Sequence, residues 1–359
     1  MDELGELTAD LVSIPSHEDE TAAGDAIEAW LRAETEADVE RGDAGNVLAW
    51  KNRDADGESL AFVGHHDVVP PDDSQVADGE YVVEERDGRL YGRGAADMKG
   101  AVAACMLAFR DSTPAGEVAF ASFAGEEVGG TGARAAIDDG FAPDYAVVAE
   151  GSTNYSKAGV TDVVVAHRGR RGSTLTAEGS AAHASEPDAG ENAVYRACDA
   201  VDVVRDLDFP EVDVLGHRVH GSVAVTGIEG GSAWNVVPET CEVTVDERTV
   251  PGERAALERV EDIDGVSWTV DQDLPPMACD DGDFADRVLD AARESQDGDP
   301  EQVTKPHATD AGWLAQAGTT CVVYGASEPG EAHTADESVS LGVLDRCYRT
   351  YRALADDWR

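Results

Sequence analysis

Apolar residues recur every three to four positions from Leu4 to Leu31, broken only at Ile14-Pro15-Ser16, so the chain opens with two helices around a turn. Two short apolar runs, Asn46 to Trp50 and Leu60 to Gly64, read as strands. The second has no polar position, which suits a central strand buried on both faces. Gly100 to Arg110 is Ala-rich with helical spacing, Glu117 to Ala124 and Tyr145 to Glu150 read as buried strands, and Thr131 to Asp138 reads as a helix. Strands alternating with helices predict a doubly wound α/β sheet with its sites at strand ends.

The pattern changes near Asp162. A strand, Asp162 to Ala166 and then Ser173 to Ala177, leads to a helix over Glu191 to Leu207. Strands at Ser222 to Ile228 and Thr240 to Asp246 follow, then a helix over Pro251 to Val260 and a strand at Val266 to Val270. This βαββαβ order is that of a split, ferredoxin-like α+β unit. After Pro275-Pro276 the first pattern resumes, through Asp283 to Ser295, Thr319 to Tyr324 and Leu341 to Trp358. The expectation is a doubly wound α/β domain with a mixed sheet, residues 1–165 and 277–359, interrupted by an inserted ferredoxin-like domain at 166–276.

A length of 359 residues supports two cores, and 42% hydrophobic content can fill them. Charge changes the picture more. Seventy-four acidic residues against 27 basic ones leave a formal charge of −47. Acidity on that scale marks disorder when hydrophobicity is low, but here apolar periodicity persists to the C-terminus. Lysine occurs only at Lys51, Lys99, Lys157 and Lys305, so nearly every basic residue is Arg. Carboxylate excess with lysine depletion suits a cytoplasm of molar salt, where a Debye length of ~3 Å screens self-repulsion. The same charge repels a nucleic-acid backbone and argues against that partner. The six cysteines are scattered with no Cys-x-x-Cys pair, so neither a disulfide framework nor a thiolate metal site is expected. The N-terminus is acidic and no apolar run approaches ~20 residues, which predicts a cytoplasmic protein without a membrane segment.

Five segments carry candidate chemistry. Gly64-His65-His66-Asp67 closes an apolar strand; an imidazole there can bind a metal while a carboxylate two residues on fixes its tautomer, although a polar loop would read the same. Gly92-Arg93-Gly94-Ala95-Ala96-Asp97 enters the Ala-rich helix, with Asp97 free to point into a cleft or to cap the helix. Gly125-Glu126-Glu127 follows a strand, and adjacent carboxylates there repel unless cations lie nearby, although paired acids are common in so acidic a chain. Glu150 ends an apolar strand, and His333 lies beyond the strand Cys321 to Tyr324. Together, two His and three carboxylates at strand and helix ends are what two metal ions sharing a bridging carboxylate require.

In order and context these motifs resemble the co-catalytic zinc aminoacylase and carboxypeptidase superfamily over essentially the whole chain. The resemblance implies two Zn2+ ions, with Co2+ or Mn2+ as alternatives. It implies that His65 and Glu150 hold one ion, that Glu127 and His333 hold the other, and that Asp97 bridges them. Asp67 would orient His65. Glu126 would be the general base that takes a proton from the attacking water and returns it to the leaving amine. In the inserted domain, Ala181-Ala182-His183-Ala184-Ser185 resembles the segment whose histidine steadies the oxyanion, reaching across from a partner subunit in dimeric members; the domain would then be a lid and a homodimer interface. Asn235 and Arg248 resemble the family's contacts to a substrate carboxylate.

Substrate preference is less legible. Gly169-Arg170-Arg171-Gly172-Ser173 resembles the lid segment of the desuccinylases, and two arginines suit a substrate with several carboxylates. Lys305-Pro306-His307-Ala308-Thr309-Asp310 departs from the family's Gly-rich stretch, retaining Thr309 and Asp310. The resemblance implies an amidohydrolase that removes an acyl group from a small amino acid, with succinyl-diaminopimelate ahead of acetylornithine. A dipeptidase or carboxypeptidase on short peptides is the runner-up, and a non-catalytic binding protein is a distant third that would have no use for Glu126.

Overall fold

The computed structural model describes residues 2–359; Met1, the first residue of the expected outer domain, lies outside them. The chain divides into two compact units. One runs to Ala166 and takes in Met277–Lys305 and Thr309–Arg359; the other is His167–Pro276 with Pro306–Ala308.

The larger unit is built on a nine-stranded mixed sheet. Its spatial order is Asp38–Arg41, Val47–Lys51, Val118–Phe123, Leu60–His65, Tyr145–Val148, Thr320–Val323, Val163–His167 and Met277–Ala278, with Gln302–Lys305 also paired to Val163–His167. The four strands from Val118–Phe123 to Thr320–Val323 are mutually parallel. Their near-continuous apolar runs follow from burial on both faces. Leu60 and Phe62 pack toward the helices Glu3–Ser13, Thr21–Glu34, Gly100–Asp111, Gly282–Ser295 and Leu341–Asp356, whereas Ala61 and Val63 pack toward Thr131–Asp138 and Ala311–Gln316. Among the described residues no helix is long and apolar enough to cross a membrane.

The smaller unit is a four-stranded antiparallel sheet in the order Ser222–Gly230, Thr240–Thr249, Gly169–Glu178, Val266–Leu274. The helix Ala193–Arg205 covers one face, burying Leu175, Ala177, Val243 and Val245 against Ala197, Ala200 and Val204. The helix expected over Pro251 to Val260 is not an α-helix: residues 251–256 are irregular and only a 3-10 segment, Leu257–Asp262, follows. Gly252 takes φ +94°, and the Ala255 N–H donates to the Glu247 carboxylate at 2.9 Å instead of to a carbonyl one turn back. A hairpin, Glu211–Val214 with His217–His220, was not expected.

Candidate metal centre

All four parallel strands end on one edge of the sheet, and that edge carries the site. His65 is the last residue of its strand, and Glu150 lies two residues past Val148. Glu126 and Glu127 follow Phe123 through Gly125, whose φ is +65° and where a Cβ would lie 2.2 Å from Thr131 Oγ1; only glycine fits. Two more loops join from the short antiparallel strands Arg89–Tyr91 and Ser338–Ser340. The first brings Asp97. The second brings His333, held at φ +62°, a conformation uncommon outside glycine.

These groups converge. His65 Nε2 lies 3.1 Å from Asp97 Oδ1 and 3.5 Å from Glu150 Oε1. His333 Nε2 lies 3.1 Å from Asp97 Oδ2 and 2.9 Å from Glu127 Oε1. Asp97 thus divides its two oxygens between two imidazoles. Behind His65, Nδ1 faces the Asp67 carbonyl oxygen at 3.1 Å and its Oδ1 at 3.3 Å. The Asp67 carboxylate also accepts the N–H groups of Glu126 at 3.1 Å and Glu127 at 3.0 Å, which ties the residue behind His65 to the Glu pair.

Electrostatics fit a cation site. Burial would lower His65, but Asp67, Asp97 and Glu150 hold its proton well above the ordinary value. Hydrogen bonds to Asp97 and Glu127 raise His333 to about 10. Burial would raise Asp97, yet both imidazoles hold it far below the carboxylate range. Burial, helped by Asp310, Glu150 and Asp97 against the pull of His65, pushes Glu126 well above that range. The donors are two imidazole Nε2 atoms and three carboxylates with no sulfur, and ligand atoms of His65, Asp97 and Glu127 all lie within 4.8 Å of one another. Protons on two imidazoles thus offset a carboxylate nest that divalent ions fit.

Four residues around the site had no role in the sequence reading. Glu337 Oε1 accepts from the N–H groups of Ala96 and Asp97, each at 3.1 Å, and Oε2 pairs with the buried Arg93 guanidinium. Lys305 is buried with Nζ 3.3 Å from Glu150 Oε2. Asp310 is buried with neither carboxylate oxygen hydrogen-bonded, and burial lifts it to about 7. Arg93, Lys305 and Asp310 stand in the motifs given above and Glu337 four residues past His333, but a charged residue in a chain with 28% charge reads as solvated. Thr309 Oγ1 accepts from the Ala311 N–H at 3.2 Å, at the start of the helix Ala311–Gln316.

In the smaller unit, His183 and Asn235 are exposed and adjacent, the Asn235 amide nitrogen 3.5 Å from His183 Nε2. The Ser185 N–H donates to His183 Nδ1 at 3.2 Å, so that nitrogen accepts and Nε2 is left to carry a proton. Arg170 and Arg248 both pair with Asp246, at 2.8 and 2.7 Å, on the partly exposed face of the sheet. Arg171 points the other way. It pairs with buried Glu247 at 2.5 Å, donates to the Ala255 carbonyl at 3.0 Å and stacks over Trp268. Ser173 is buried on that same inner face. The two were grouped with Arg170 as substrate contacts, but the pleat turns alternate residues to opposite faces and places them in the unit's interior.

Nitrogen and oxygen donors at the C-terminal edge of a parallel sheet, beside a buried glutamate of raised proton affinity, suit a metal-dependent hydrolase. The sequence pattern of Peptidase family M20/M25/M40 matches residues 61–357. The chain belongs to that family. It is similar to the succinyl-diaminopimelate desuccinylase of Bordetella avium, 27% identical over 333 residues and covering 88% of this chain and 86% of that one. Among solved structures, aminopeptidase PepT of Bacillus cereus has the same fold, with a TM-score of 0.81 at 19% identity over 98% of this chain and 97% of the other. So does the Bacillus subtilis YXEP protein, a dinuclear metal-binding peptidase of family M20, with a TM-score of 0.73 at 16% identity over 98% and 96%.

Proposed function

We propose that the chain is a two-zinc deacylase that hydrolyses the N-acyl amide of a small amino acid, with N-succinyl-diaminopimelate as the preferred candidate. The carrying observation is the split carboxylate of Asp97, one oxygen on each imidazole, which is the arrangement of a ligand shared by two ions. His65 and Glu150 would hold one ion, Glu127 and His333 the other. Bound divalent ions acidify the attacking water and polarise the scissile carbonyl. Asp67 fixes the His65 tautomer through Nδ1, and Glu126 takes the water's proton and delivers it to the departing amine. His183 would donate from Nε2 to the oxyanion, while Asn235, Arg248 and Arg170 would receive a substrate carboxylate, a task for which a planar guanidinium is shaped. Thr309 would complete the pocket wall. A homodimer through the smaller unit and a cytoplasmic setting belong to the same proposal. The Bordetella avium relative's name supports the acyl group chosen, and the runner-up peptidase reading gains nothing from neighbours below 25% identity, which share the fold alone.

Amine release should be measured at high salt with added Zn2+ from N-succinyl-diaminopimelate, N-acetylornithine and several dipeptides. Rapid release from the succinyl substrate alone is expected. Turnover of dipeptides alone would move the chain to the peptidase reading, and none with two ions bound would end the deacylase proposal.

The acidic surface has its own test. A charge of −47 is tolerable when the Debye length is ~3 Å and repulsive when it is ~10 Å, so transfer from about 1 M to about 0.1 M salt should lower Tm by roughly 10 °C. An unchanged Tm would remove the adaptation to high salt from the proposal.

A further inference from the structure

Lys305 closes the strand Gln302–Lys305, and its side chain is only 8% exposed. An ammonium is buried only where something holds it, and here the holder is Glu150, whose Oε2 accepts from Nζ at 3.3 Å. The other oxygen, Oε1, faces His65 Nε2 at 3.5 Å. The two oxygens of one carboxylate are therefore divided, one beside a fixed cation and one beside the centre. Free carboxylates bind metals through one oxygen or both, and the choice sets the coordination number. Zinc sites are commonly four-coordinate with one oxygen from each carboxylate, whereas Mn2+ favours six oxygen-rich positions.

We propose that Lys305 is a positioning residue that holds Glu150 to a single donor oxygen and thereby biases the centre toward zinc over manganese. The inference rests on the metal reading of the site. Its geometry is the Lys305–Glu150 contact, made by the last residue of the strand before Pro306. With the ammonium gone, Oε2 is released and Glu150 can offer both oxygens.

Wild type, Lys305→Met and Lys305→Arg, stripped with chelator at high salt, should be titrated with Zn2+ and Mn2+ in competition and separately loaded with Co2+. In Lys305→Met the ratio of Zn2+ to Mn2+ affinity should fall tenfold or more, within the range that residues behind metal ligands command. The Co2+ d–d band should weaken as the coordination number rises. Lys305→Arg keeps a cation and a donor at Glu150 and should match wild type, which loss of packing alone would not explain. A folded Lys305→Met with wild-type ratio and band would overturn the proposal. Should Lys305→Met not fold, Lys305→Gln serves instead, with a neutral donor, an intermediate shift expected and no shift overturning it. Wild type that binds neither Zn2+ nor Co2+ would overturn the metal reading together with this inference; two ions bound with no effect at Lys305 would overturn this inference alone.

Discussion

Glu126→Gln should reduce kcat by about 10^3-fold or more while leaving two metal ions bound. General acid–base catalysis contributes typically 10^2–10^4-fold, and here one group serves both halves of the reaction, as acceptor from water and donor to the amine. A 10^3-fold loss corresponds to about 4 kcal/mol of barrier. Glutamine keeps the shape of the side chain and the backbone N–H that Asp67 accepts at 3.1 Å, so the orientation of His65 should survive. The proton capacity does not. Burial and the carboxylates around it raise Glu126 well above the ordinary value, and an acid limb of the kcat/KM profile is the readout of its protonation. Activity in wild type rises as pH rises through that limb, because the base must be free to accept, and the limb should vanish from the residual activity of the variant. Glu127→Gln is the informative contrast. Glu127 Oε1 lies 2.9 Å from His333 Nε2, so that change should show first as a weakened second ion. Turnover within tenfold of wild type in Glu126→Gln, with both ions retained, would remove Glu126 from the role of base.

The doubly wound sheet was legible because strands such as Leu60–His65 are buried on both faces and leave an uninterrupted apolar signature that ends in a charged residue. The candidate site was legible for the same reason: a charge at the end of a buried strand has no packing purpose, and His65, Glu126, Glu127 and Glu150 all follow such strands. What escaped reading was long-range pairing of charges. Lys305 and Glu150 are separated by 155 positions, and Arg93 and Glu337 by 244, so no local pattern signals them. Arg171 escaped for a different reason. The apolar pattern predicts a strand from Ser173, whereas the strand starts at Gly169, and only inside a strand does alternation turn Arg170 and Arg171 apart. The expected helix from Pro251 failed because Glu247, a residue of the preceding strand, captures the N–H that a helix would have used.

Glu337→Ala should lower stability by about 3–5 kcal/mol, the cost of leaving one member of a buried ion pair without its partner. The side chains of Arg93 and Glu337 are 3% and 0% exposed, so water cannot compensate. For a domain of this size the loss corresponds to a fall in Tm of roughly 10 °C. Burial lifts the Glu337 carboxyl to about 7 against the pull of Arg93, so wild type loses stability as pH rises through 7 whereas Glu337→Ala does not, and the gap between them should narrow there. Three comparisons separate the contributions. Glu337→Gln keeps a neutral acceptor for the Ala96 and Asp97 N–H groups and should lose less than Ala. Arg93→Met combined with Glu337→Leu removes both charges and should recover part of the loss, since the stranded guanidinium is then gone. The third readout is metal affinity. Glu337 grips the backbone N–H of Asp97 and lies four residues from His333, so its truncation loosens the shared carboxylate and an imidazole of the centre together, and binding of the second ion should weaken ten- to a hundredfold. A variant with Tm within about 2 °C of wild type and both ions held as tightly would show that the two loops keep their places without this pair.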